Sequence, residues 1–317
     1  MDQMAFKPHE KYQRLIDDAQ GLPPLPTAVA HPCDNVSLQG AVEAAQLKLI
    51  TPILVGPSAK ILAAAGQIGA DISGYELIDA PHSHAAAIRA VGLVREGRAE
   101  ALMKGSLHTD ELMGAAVSHD GGIRTERRIS HCFVMDIPSH SAPLIITDVA
   151  VNIVPTLDDK ADIVRNAIEL ARALRFPEVL VAILSAMETV NPKVPSTIEA
   201  AALCKMADRG QIAGATLDGP LALDNAIDPD AAKTKGIVSP VAGRANVLLV
   251  PDLEAGNMLA KSLTFLAEAD AAGIVLGARV PIILTSRADS VLSRRASCAV
   301  ASLLAQYRRQ AVAAPLG

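Results

Sequence analysis

Short apolar segments alternate with longer amphipathic segments along most of this chain. The short segments have the length of buried strands, and the longer ones place apolar residues at helical spacing. The predicted strands are Ala28–His31, Ile53–Val55, Glu76–Ile78, Ala101–Lys104, Cys132–Met135, Leu144–Thr147, Val179–Leu184, Val247–Val250, Ile274–Leu276 and Pro281–Leu284. Because this alternation is typical of βαβ units, we predict an α/β fold with a mostly parallel sheet.

Two of the amphipathic segments carry a helix-capping pattern. Thr156 and Asp159 are spaced like a capping box, and apolar residues follow at helical spacing. Ser196 and Glu199 repeat this spacing, and Gly210 is the expected stop of the second helix.

The composition changes the picture of the core. Half of the 317 residues are apolar, but only 2% are aromatic and tryptophan is absent. The core must therefore be aliphatic, which suits parallel strands covered by alanine-rich helices. A chain of this length is expected to form about two domains.

Charge and cysteine content bear on the class of partner. A net charge of −5 argues against nucleic acid as the main partner, because phosphate-backbone binding needs a concentrated basic surface. No segment reaches the roughly 18 apolar residues of a membrane span, and the N-terminus lacks a signal-peptide apolar region. Four scattered cysteines form no CxxC pair. We therefore expect a cytoplasmic protein that binds neither nucleic acid nor membrane.

Polar side chains collect where predicted strands end, which is where open α/β sheets bind ligands. The strand ends carry Lys104, Gly105, Ser106, His108 and Thr109; Asp148 and Asn152; Asp252, Asn257 and Lys261; and Thr285, Ser286, Arg287, Asp289 and Ser290. Helix N-termini add a positive dipole end, Gly105 would let backbone N–H groups approach an anion, and Arg287 could grip phosphate. The alternative is that these residues are helix caps, as we expect for Thr109 and Asp289, and surface charges.

A basic cluster of Arg124, Arg127 and Arg128 lies between two of these strand ends. One interpretation is an exposed charged turn. The other is a phosphate-binding element beside the loop Lys104–Thr109, called the Lys104 loop below. The sequence leaves both open.

Several common motifs are missing from the sequence. It contains no GxGxxG, GxxxxGK[ST], HExxH or GxSxG motif, and its eight histidines form no set with metal-ligand spacing. We therefore expect neither a metal site nor a dinucleotide fingerprint.

The strand-end residues resemble those of the phosphate acetyl/butyryltransferases, or phosphotransacylases, from about Leu25 to Gln306. The most specific segments are Met103–Ser106, Arg124–Thr125 with Ile129–His131, Ile146–Asp148, Pro251–Asn257 with Lys261, and Thr285–Ser290. Three further segments are similar to the transferase half of fusion proteins that carry an enoyl-CoA hydratase-like domain in front of it: Glu188–Pro192, Ala202–Gly210 and Lys235–Gly243. We expect that hydratase domain to be absent here, because Met1 lies just ahead of the transferase region.

The resemblance implies a fold of two three-layer α/β domains of the isocitrate/isopropylmalate dehydrogenase type. Domain I would be discontinuous and contain residues 1–128 and 276–317, and domain II would contain residues 129–275. The active site would lie in the cleft between them, and the protein would be a homodimer.

The resemblance also implies the reaction acyl-CoA + phosphate = acyl phosphate + CoA, without a tightly bound cofactor or a metal. Coenzyme A is a substrate, and its thiolate would attack the acyl phosphate in a ternary complex. Ser286, Arg287 and Asp289 would be catalytic. The substrate-binding residues would be Lys104, Gly105, Ser106, His108, Thr109, Arg124, Arg127, His131, Asp148, Asn152, Asp252, Asn257 and Lys261.

Two departures from the family keep alternatives open. Met113 stands where phosphate acetyltransferases usually have an arginine, and Ser293 stands near the place of their proposed catalytic aspartate. Asp289 is then the nearest carboxylate. The alternatives are a non-catalytic CoA-binding or scaffolding protein and, from the same fold, a decarboxylating dehydrogenase. The acyl chain stays undetermined between acetyl, propionyl and butyryl.

Overall fold

The computed structural model describes residues 10–285 and 289–313 as an α/β protein. The strands are β1 (Leu25–Ala30), β2 (Ile50–Gly56), β3 (Glu76–Asp79), β4 (Ala101–Lys104), β5 (Ser130–Asp136), β6 (Leu144–Thr147), β7 (Leu180–Leu184), β8 (Thr216–Leu221), β9 (Val247–Leu249), β10 (Asp270–Leu276) and β11 (Ile282–Ile283). The helices are α1 (Glu10–Gln20), α2 (Asn35–Gln46), α3 (Ser58–Ile68), α4 (Ser83–Arg95), α5 (Thr109–Val117), α6 (Leu157–Ala173), α7 (Pro195–Asp208), α8 (Leu223–Ile227), α9 (Pro229–Thr234), α10 (Leu253–Leu266) and α11 (Val291–Ala313).

All ten predicted strands are confirmed, with ends shifted by a few residues. The strand that the sequence did not predict is β8, whose segment contains Gly219 and Pro220. Proline cannot donate a ladder hydrogen bond and is tolerated mainly on edge strands. Because β8 lies at the edge of its sheet and is only partly buried, it lacks the apolar signal of a central strand.

The capping box at Thr156 is confirmed, because its side chain accepts the Asp159 backbone N–H and Asp159 accepts that of Thr156. The same prediction at Ser196 is wrong. Helix α7 begins at Pro195, one residue before Ser196, so Ser196 lies inside the helix and is not its N-cap. The fixed φ angle of Pro195 suits the first helical position. Ser196 instead hydrogen-bonds Ser185 through the two hydroxyls, 2.9 Å apart.

The chain divides into two compact units. The central unit consists of Arg128–Ala271 with Glu10 and Lys11, and the flanking unit consists of Tyr12–Arg127 with the described residues from Ala272 onward. In the flanking unit the strand order is β3-β2-β1-β4-β11-β10, and all neighbours are parallel except β10 and β11. Helices α2, α3 and α11 pack together, as do α4 and α5.

The central unit has the strand order β5-β6-β9-β7-β8, in which only β5 runs antiparallel to its neighbour. Helices α6 and α7 pack against each other and against the strands, whereas α10 contacts β6 and α8 contacts β7. Its core is aliphatic, as the composition predicts, and includes Ile146, Leu184, Leu248 and Ala260. No helix among residues 10–285 and 289–313 is both long and apolar enough to cross a membrane.

Candidate active site

Three neighbouring parallel strands of the flanking unit end at the same edge of its sheet. In β1 and β4, Ala30 is level with Lys104, and in β4 and β11, Met103 is level with Ile283. His31, the Lys104 loop and Thr285 follow the C-terminal ends of these strands, so they lie along the same edge of the sheet. Neighbouring strands in a sheet are about 4.8 Å apart. The sequence predicted binding residues in the Lys104 loop and a polar strand end at Thr285, but it missed His31, which stood out only as the last residue of a predicted strand.

Gly105 and Ser106 have a different local role from the predicted one. The Gly105 N–H donates to the Ala30 carbonyl at 2.9 Å, and the Ser106 N–H donates to the His31 carbonyl at 2.9 Å. These two backbone donors thus close the loop onto β1 and are not turned toward an anion. A Cβ on Gly105 would lie 2.3 Å from the Ala30 oxygen, so only glycine fits this approach.

The helix after this loop is capped differently from the sequence prediction. Helix α5 begins at Thr109, and its N-cap is His108 rather than Thr109. The Glu111 carboxylate accepts the His108 backbone N–H at 2.8 Å and also the Ser83 hydroxyl at 2.6 Å. Hydrogen bonding to Ser83 and His108 lowers the pKa of Glu111. His108 and Thr109 are both exposed at the helix start.

The segment beyond β11 contains the proposed catalytic residues. Ser286 and Arg287 lie outside the described residues. Asp289 is half-buried, and its carbonyl accepts Nη1 of Arg294 at 2.6 Å. The predicted cap role of Asp289 is wrong, because the Ser290 hydroxyl accepts the Ser293 backbone N–H at 3.0 Å at the start of α11.

The structure does not place the backbone of Arg124 beside the Lys104 loop. Arg124 pairs with Ala278 in the turn that precedes β11. Since β11 and β4 are parallel, this turn is at the opposite end of β11 from Thr285. Arg127 is exposed in the same loop. The arginine cluster is therefore split, because Arg128 belongs to the central unit.

In the central unit, Asp148 organises the loop that follows β6. It is buried, and its carboxylate accepts the backbone N–H groups of Ala150, Val151 and Asn152 at 2.9–3.1 Å. The Asn152 side chain donates to the same carboxylate at 2.5 Å. Asp148 thus holds its own loop, and Asn152 is fixed beside it.

His131 lies next to this loop at the start of β5. Its ring stacks edge-on against Phe133, with centroids 4.6 Å apart, and its buried Nδ1 has no hydrogen-bond partner. Burial lowers the pKa of His131 to about 4, although the charge of Asp148 opposes this shift. The imidazole is therefore neutral at neutral pH.

Helix α10, which follows β9 in the chain, lies beside the Asp148 loop. Asp252 caps the helix by accepting the Ala255 N–H at 2.8 Å, and Asn257 donates to the Val149 carbonyl at 3.4 Å. A Cβ on Gly256 would lie 2.6 Å from the Asp148 carbonyl oxygen, so glycine permits the helix to approach the Asp148 loop. Lys261 is exposed on this helix. Asp148, Asn152, His131, Asp252 and Asn257 are therefore brought together, as the strand-end prediction required.

Arg128 joins the same group, although it was not among the predicted site residues. Its Nε donates to the Asn152 side-chain oxygen at 2.7 Å and lies 3.4 Å from an Asp159 oxygen. The sequence signal was present, since Arg128 belongs to the arginine cluster, but sequence alone could not separate it from its neighbours.

The cysteine thiols are poor nucleophiles. Burial raises the pKa of Cys33 to about 11 and the pKa values of Cys132, Cys204 and Cys298 to about 12. A thiol is nucleophilic only as the thiolate. Covalent catalysis by a protein cysteine is therefore disfavoured. In the described part of the chain, no three His, Cys, Asp or Glu side chains form a group that could hold a metal ion.

Sequence comparisons relate the chain to known proteins. The family model described as Phosphate acetyl/butaryl transferase matches residues 83–301. A phosphate acetyltransferase from Rhizobium meliloti is 65% identical over 301 residues, which is 95% of each protein. A phosphate butyryltransferase from Clostridium acetobutylicum is 40% identical over 88% of this chain and 92% of its own length.

Solved structures agree with this relationship. A branched-chain phosphotransacylase from Enterococcus faecalis has a TM-score of 0.77 at 30% identity, covering 89% of this chain and 99% of its own. A 4-hydroxythreonine-4-phosphate dehydrogenase from Klebsiella pneumoniae shares the fold alone, with a TM-score of 0.56 at 14% identity, covering 89% of this chain and 100% of its own. Because the family model and both relatives match most of its length, the chain belongs to the phosphate acetyl/butaryl transferase family.

Proposed function

We propose that this chain is a phosphate acyltransferase that catalyses acyl-CoA + phosphate = acyl phosphate + CoA. The observation that carries the proposal is the identity of 65%, over 95% of both chains, to a relative named for this activity. The acyl group is acetyl, propionyl or butyryl, because relatives named for the acetyl and the butyryl reaction both match most of the chain.

The proposed reaction proceeds in a ternary complex, without a covalent enzyme intermediate. The CoA thiolate attacks the carbonyl carbon of the acyl phosphate, and the tetrahedral intermediate expels phosphate. The raised pKa values of all four cysteine thiols support this route, because they leave no protein thiolate to carry the acyl group.

Ser286, Arg287 and Asp289 are the proposed catalytic residues. Arg287 would hold the phosphoryl group and offset charge on the intermediate, and Ser286 would donate a hydrogen bond to the oxyanion. Asp289 is the nearest carboxylate that could take the thiol proton. Their position in the sequence supports these roles, because they follow β11 closely and the last residue of β11, Ile283, is level with Met103, just before the Lys104 loop.

The proposed binding residues form two groups that would contact the phosphates and polar parts of the substrates. The flanking unit supplies Lys104, Gly105, Ser106, His108 and Thr109, and the central unit supplies His131, Asp148, Asn152, Asp252, Asn257 and Lys261. Arg124 and Arg127 are left out of the flanking group, because the turn of Arg124 is at the opposite end of β11 from Thr285. The central group gains support from Arg128, whose hydrogen bond to Asn152 brings a positive charge to the Asp148 loop. CoA is a substrate here and not a resident cofactor.

We also propose an isocitrate/isopropylmalate dehydrogenase type of fold with domain I at residues 1–128 and 276–317 and domain II at 129–275. The two compact units have similar bounds, except that Glu10 and Lys11 belong to the central unit. The fold-level similarity to 4-hydroxythreonine-4-phosphate dehydrogenase supports the fold type. A homodimer in the cytoplasm is proposed as well. Four free cysteines fit the reducing conditions of that compartment.

The direct test is thiol release from acetyl-, propionyl- and butyryl-CoA by the purified protein, with and without phosphate. We expect release that depends on phosphate and favours one chain length. CoA binding in calorimetry without release from any of the three would instead support a non-catalytic CoA-binding or scaffolding protein. NAD-dependent and metal-dependent turnover would support a decarboxylating dehydrogenase.

A further inference from the structure

His31 is a polar residue at the proposed catalytic edge that the roles above leave unused. It follows β1 directly, and its neighbours across the edge are the Lys104 loop and, one strand further, Thr285. Ser286 and Arg287 come next after Thr285 in the chain. His31 is half-buried, so one side of the ring can face a ligand.

The backbone of His31 is unusual. Its φ angle is +56°, in the left-handed region that costs a residue other than glycine, asparagine or aspartate about 1 kcal/mol or more. Hydrogen bonds to its carbonyl keep it there, because the His31 carbonyl accepts the backbone N–H groups of Cys33 and Ser106, both at 2.9 Å, and the Ser106 hydroxyl at 2.8 Å. Residues held in such conformations cluster at functional sites.

The hydrogen bonds of Ser106 determine which ring nitrogen of His31 carries the proton. The Ser106 hydroxyl is 2.8 Å from the His31 carbonyl, to which it can only donate, and 3.0 Å from His31 Nδ1. With the hydroxyl proton on the carbonyl, the Ser106 oxygen accepts from His31 Nδ1, and it lies 3.3 Å from the Cys33 backbone N–H. This arrangement places the ring proton on Nδ1 and leaves Nε2 of the neutral ring with a free lone pair.

The surroundings keep the ring neutral. Burial lowers the pKa of His31 and the charge of Lys60 on α3 lowers it further, whereas Glu111 on α5, Asp34 before α2 and a hydrogen bond with its own backbone oppose the shift. Among the described residues, none hydrogen-bonds Nε2. A neutral imidazole with an unprotonated, unoccupied nitrogen has the chemistry of a general base.

We propose that His31 Nε2 is the general base that takes the proton from the CoA thiol. This role rests on the acyl transfer proposed above. The thiol S–H bond breaks, its proton moves to Nε2, and the thiolate forms the new C–S bond at the acyl phosphate carbonyl. The C–O bond to the leaving phosphate then breaks, and the imidazolium returns its proton to a phosphate oxygen. In the reverse direction the imidazolium protonates the departing CoA thiolate.

Other residues at this edge fit the role less well. Ser293, near the family's catalytic aspartate position, is buried and hydrogen-bonded to the Ser290 hydroxyl at 3.1 Å, and a hydroxyl is not a base. The Cys33 thiol is held protonated by burial, which raises its pKa to about 11. Asp289 is the remaining competitor, and its variant separates the two candidates.

The test uses variants that keep the local structure. His31→Asn retains an N–H that can reach the Ser106 hydroxyl and tolerates a left-handed backbone, but it has no Nε2. His31→Gly removes the whole ring and also suits the positive φ angle. The control is His119→Asn, whose histidine is 94% exposed and paired only with neighbouring Asp120. Asp289→Asn is measured alongside.

We expect His31→Asn to lower kcat for CoA with acyl phosphate about 100-fold, the usual size of a general-base contribution, with little change in KM. Imidazole in the buffer should restore part of the activity of His31→Gly, and His119→Asn should match the wild type. Melting temperatures should confirm that the variants fold.

The role is overturned if His31→Asn stays within threefold of an active wild type, or if imidazole does not rescue His31→Gly. It is also overturned if Asp289→Asn alone abolishes the pH dependence of kcat. A wild type inactive with acetyl, propionyl and butyryl phosphate would instead remove the acyltransferase proposal itself.

Discussion

At the residue scale, burial decides the protonation of the two histidines that lie at the strand ends. It lowers the pKa of both His31 and His131, the latter to about 4. The consequences differ because of their hydrogen bonds. His31 is oriented by Ser106, whereas the buried Nδ1 of His131 has no partner. We therefore assign a reactive role to the first and expect a measurable stability effect from the second.

His131 should make the protein sensitive to mild acid. Its folded-state pKa of about 4 lies below the ordinary value of 6.5, so between these values the unfolded chain binds a proton that the folded protein excludes. The free energy of unfolding is unaffected above about pH 6.5 and falls as the pH drops toward 4, by about 2 kcal/mol at pH 5. Urea unfolding at pH 7 and pH 5 measures this loss.

His131→Gln should lose less stability than the wild type over the same pH interval. The exposed His119 provides the control, since His119→Gln should keep the wild-type pH dependence. Equal losses in the wild type and His131→Gln would show that His131 is not held neutral by burial.

Arg287 should be needed for catalysis but not for folding. We expect Arg287→Ala to lower kcat/KM at least about 100-fold, the usual cost of losing a charged transition-state contact. Arg279→Ala is a matched control, because Arg279 is an exposed arginine in the turn at the other end of β11. A change below threefold in Arg287→Ala, with unchanged melting temperature, would remove Arg287 from the mechanism.

The sequence allowed some of these residues to be predicted and not others. Asp148 and Asn152 could be found because they follow a clear apolar strand, and the structure brings them together. His31 was missed because its proposed role depends on Ser106, which is 75 positions away in the sequence. Arg124 and Arg128 are close in sequence, yet their surroundings differ because the chain passes from one unit to the other between them.

At the element scale, Gly105 controls how the β4 loop closes on β1. A Cβ at this position would lie 2.3 Å from the Ala30 oxygen and 2.5 Å from the His31 oxygen, both fixed backbone atoms. Gly105→Ala must therefore push the loop away and break the Gly105 and Ser106 hydrogen bonds. We expect a loss of about 2–4 kcal/mol in the free energy of unfolding, together with most of the activity.

Gly114 is the matched control for this substitution. It lies within α5, and a Cβ there meets nothing within 4 Å. Gly114→Ala should therefore raise the free energy of unfolding by about 0.5–1 kcal/mol through helix propensity. Urea denaturation of both variants gives the comparison, and similar stabilities would show that the β1–β4 approach is not tight.

Helices and strands could be predicted from the sequence where the apolar pattern and the capping residues indicated the same element. The strands other than β8 were found because each is a short apolar run, and α6 was found because Thr156 and Asp159 form a capping box. The start of α7 was misplaced because Pro195 and Ser196 both carry start signals, and only the folded chain decides between them. Edge strand β8 carries too little apolar character to be distinguished from a loop.

At the scale of the whole molecule, an exposed apolar surface on the central unit supports the proposed homodimer. Phe265 and Leu266, which are adjacent at the end of α10, are 78% and 84% exposed. Large apolar side chains grouped on a surface commonly mark a protein interface. We expect sedimentation to show a dimer for the wild type and a monomer for the Phe265→Lys, Leu266→Lys double variant.

Ile88→Lys is the control for this charge insertion. Ile88 is an exposed apolar residue on α4 in the flanking unit, and its substitution should leave the dimer intact. A monomeric wild type would contradict the homodimer. A dimer that survives the double substitution would place the interface elsewhere.

The most direct test of acyl transfer follows both products of one reaction. Phosphorus NMR of the protein with inorganic phosphate and acetyl- or butyryl-CoA reports acyl phosphate, while a thiol reagent reports free CoA in the same sample. We expect the two to appear in equal amounts and the reaction to reverse when acyl phosphate and CoA are added. Free CoA without acyl phosphate would indicate a thioesterase, and neither product with any acyl-CoA would contradict the acyltransferase function.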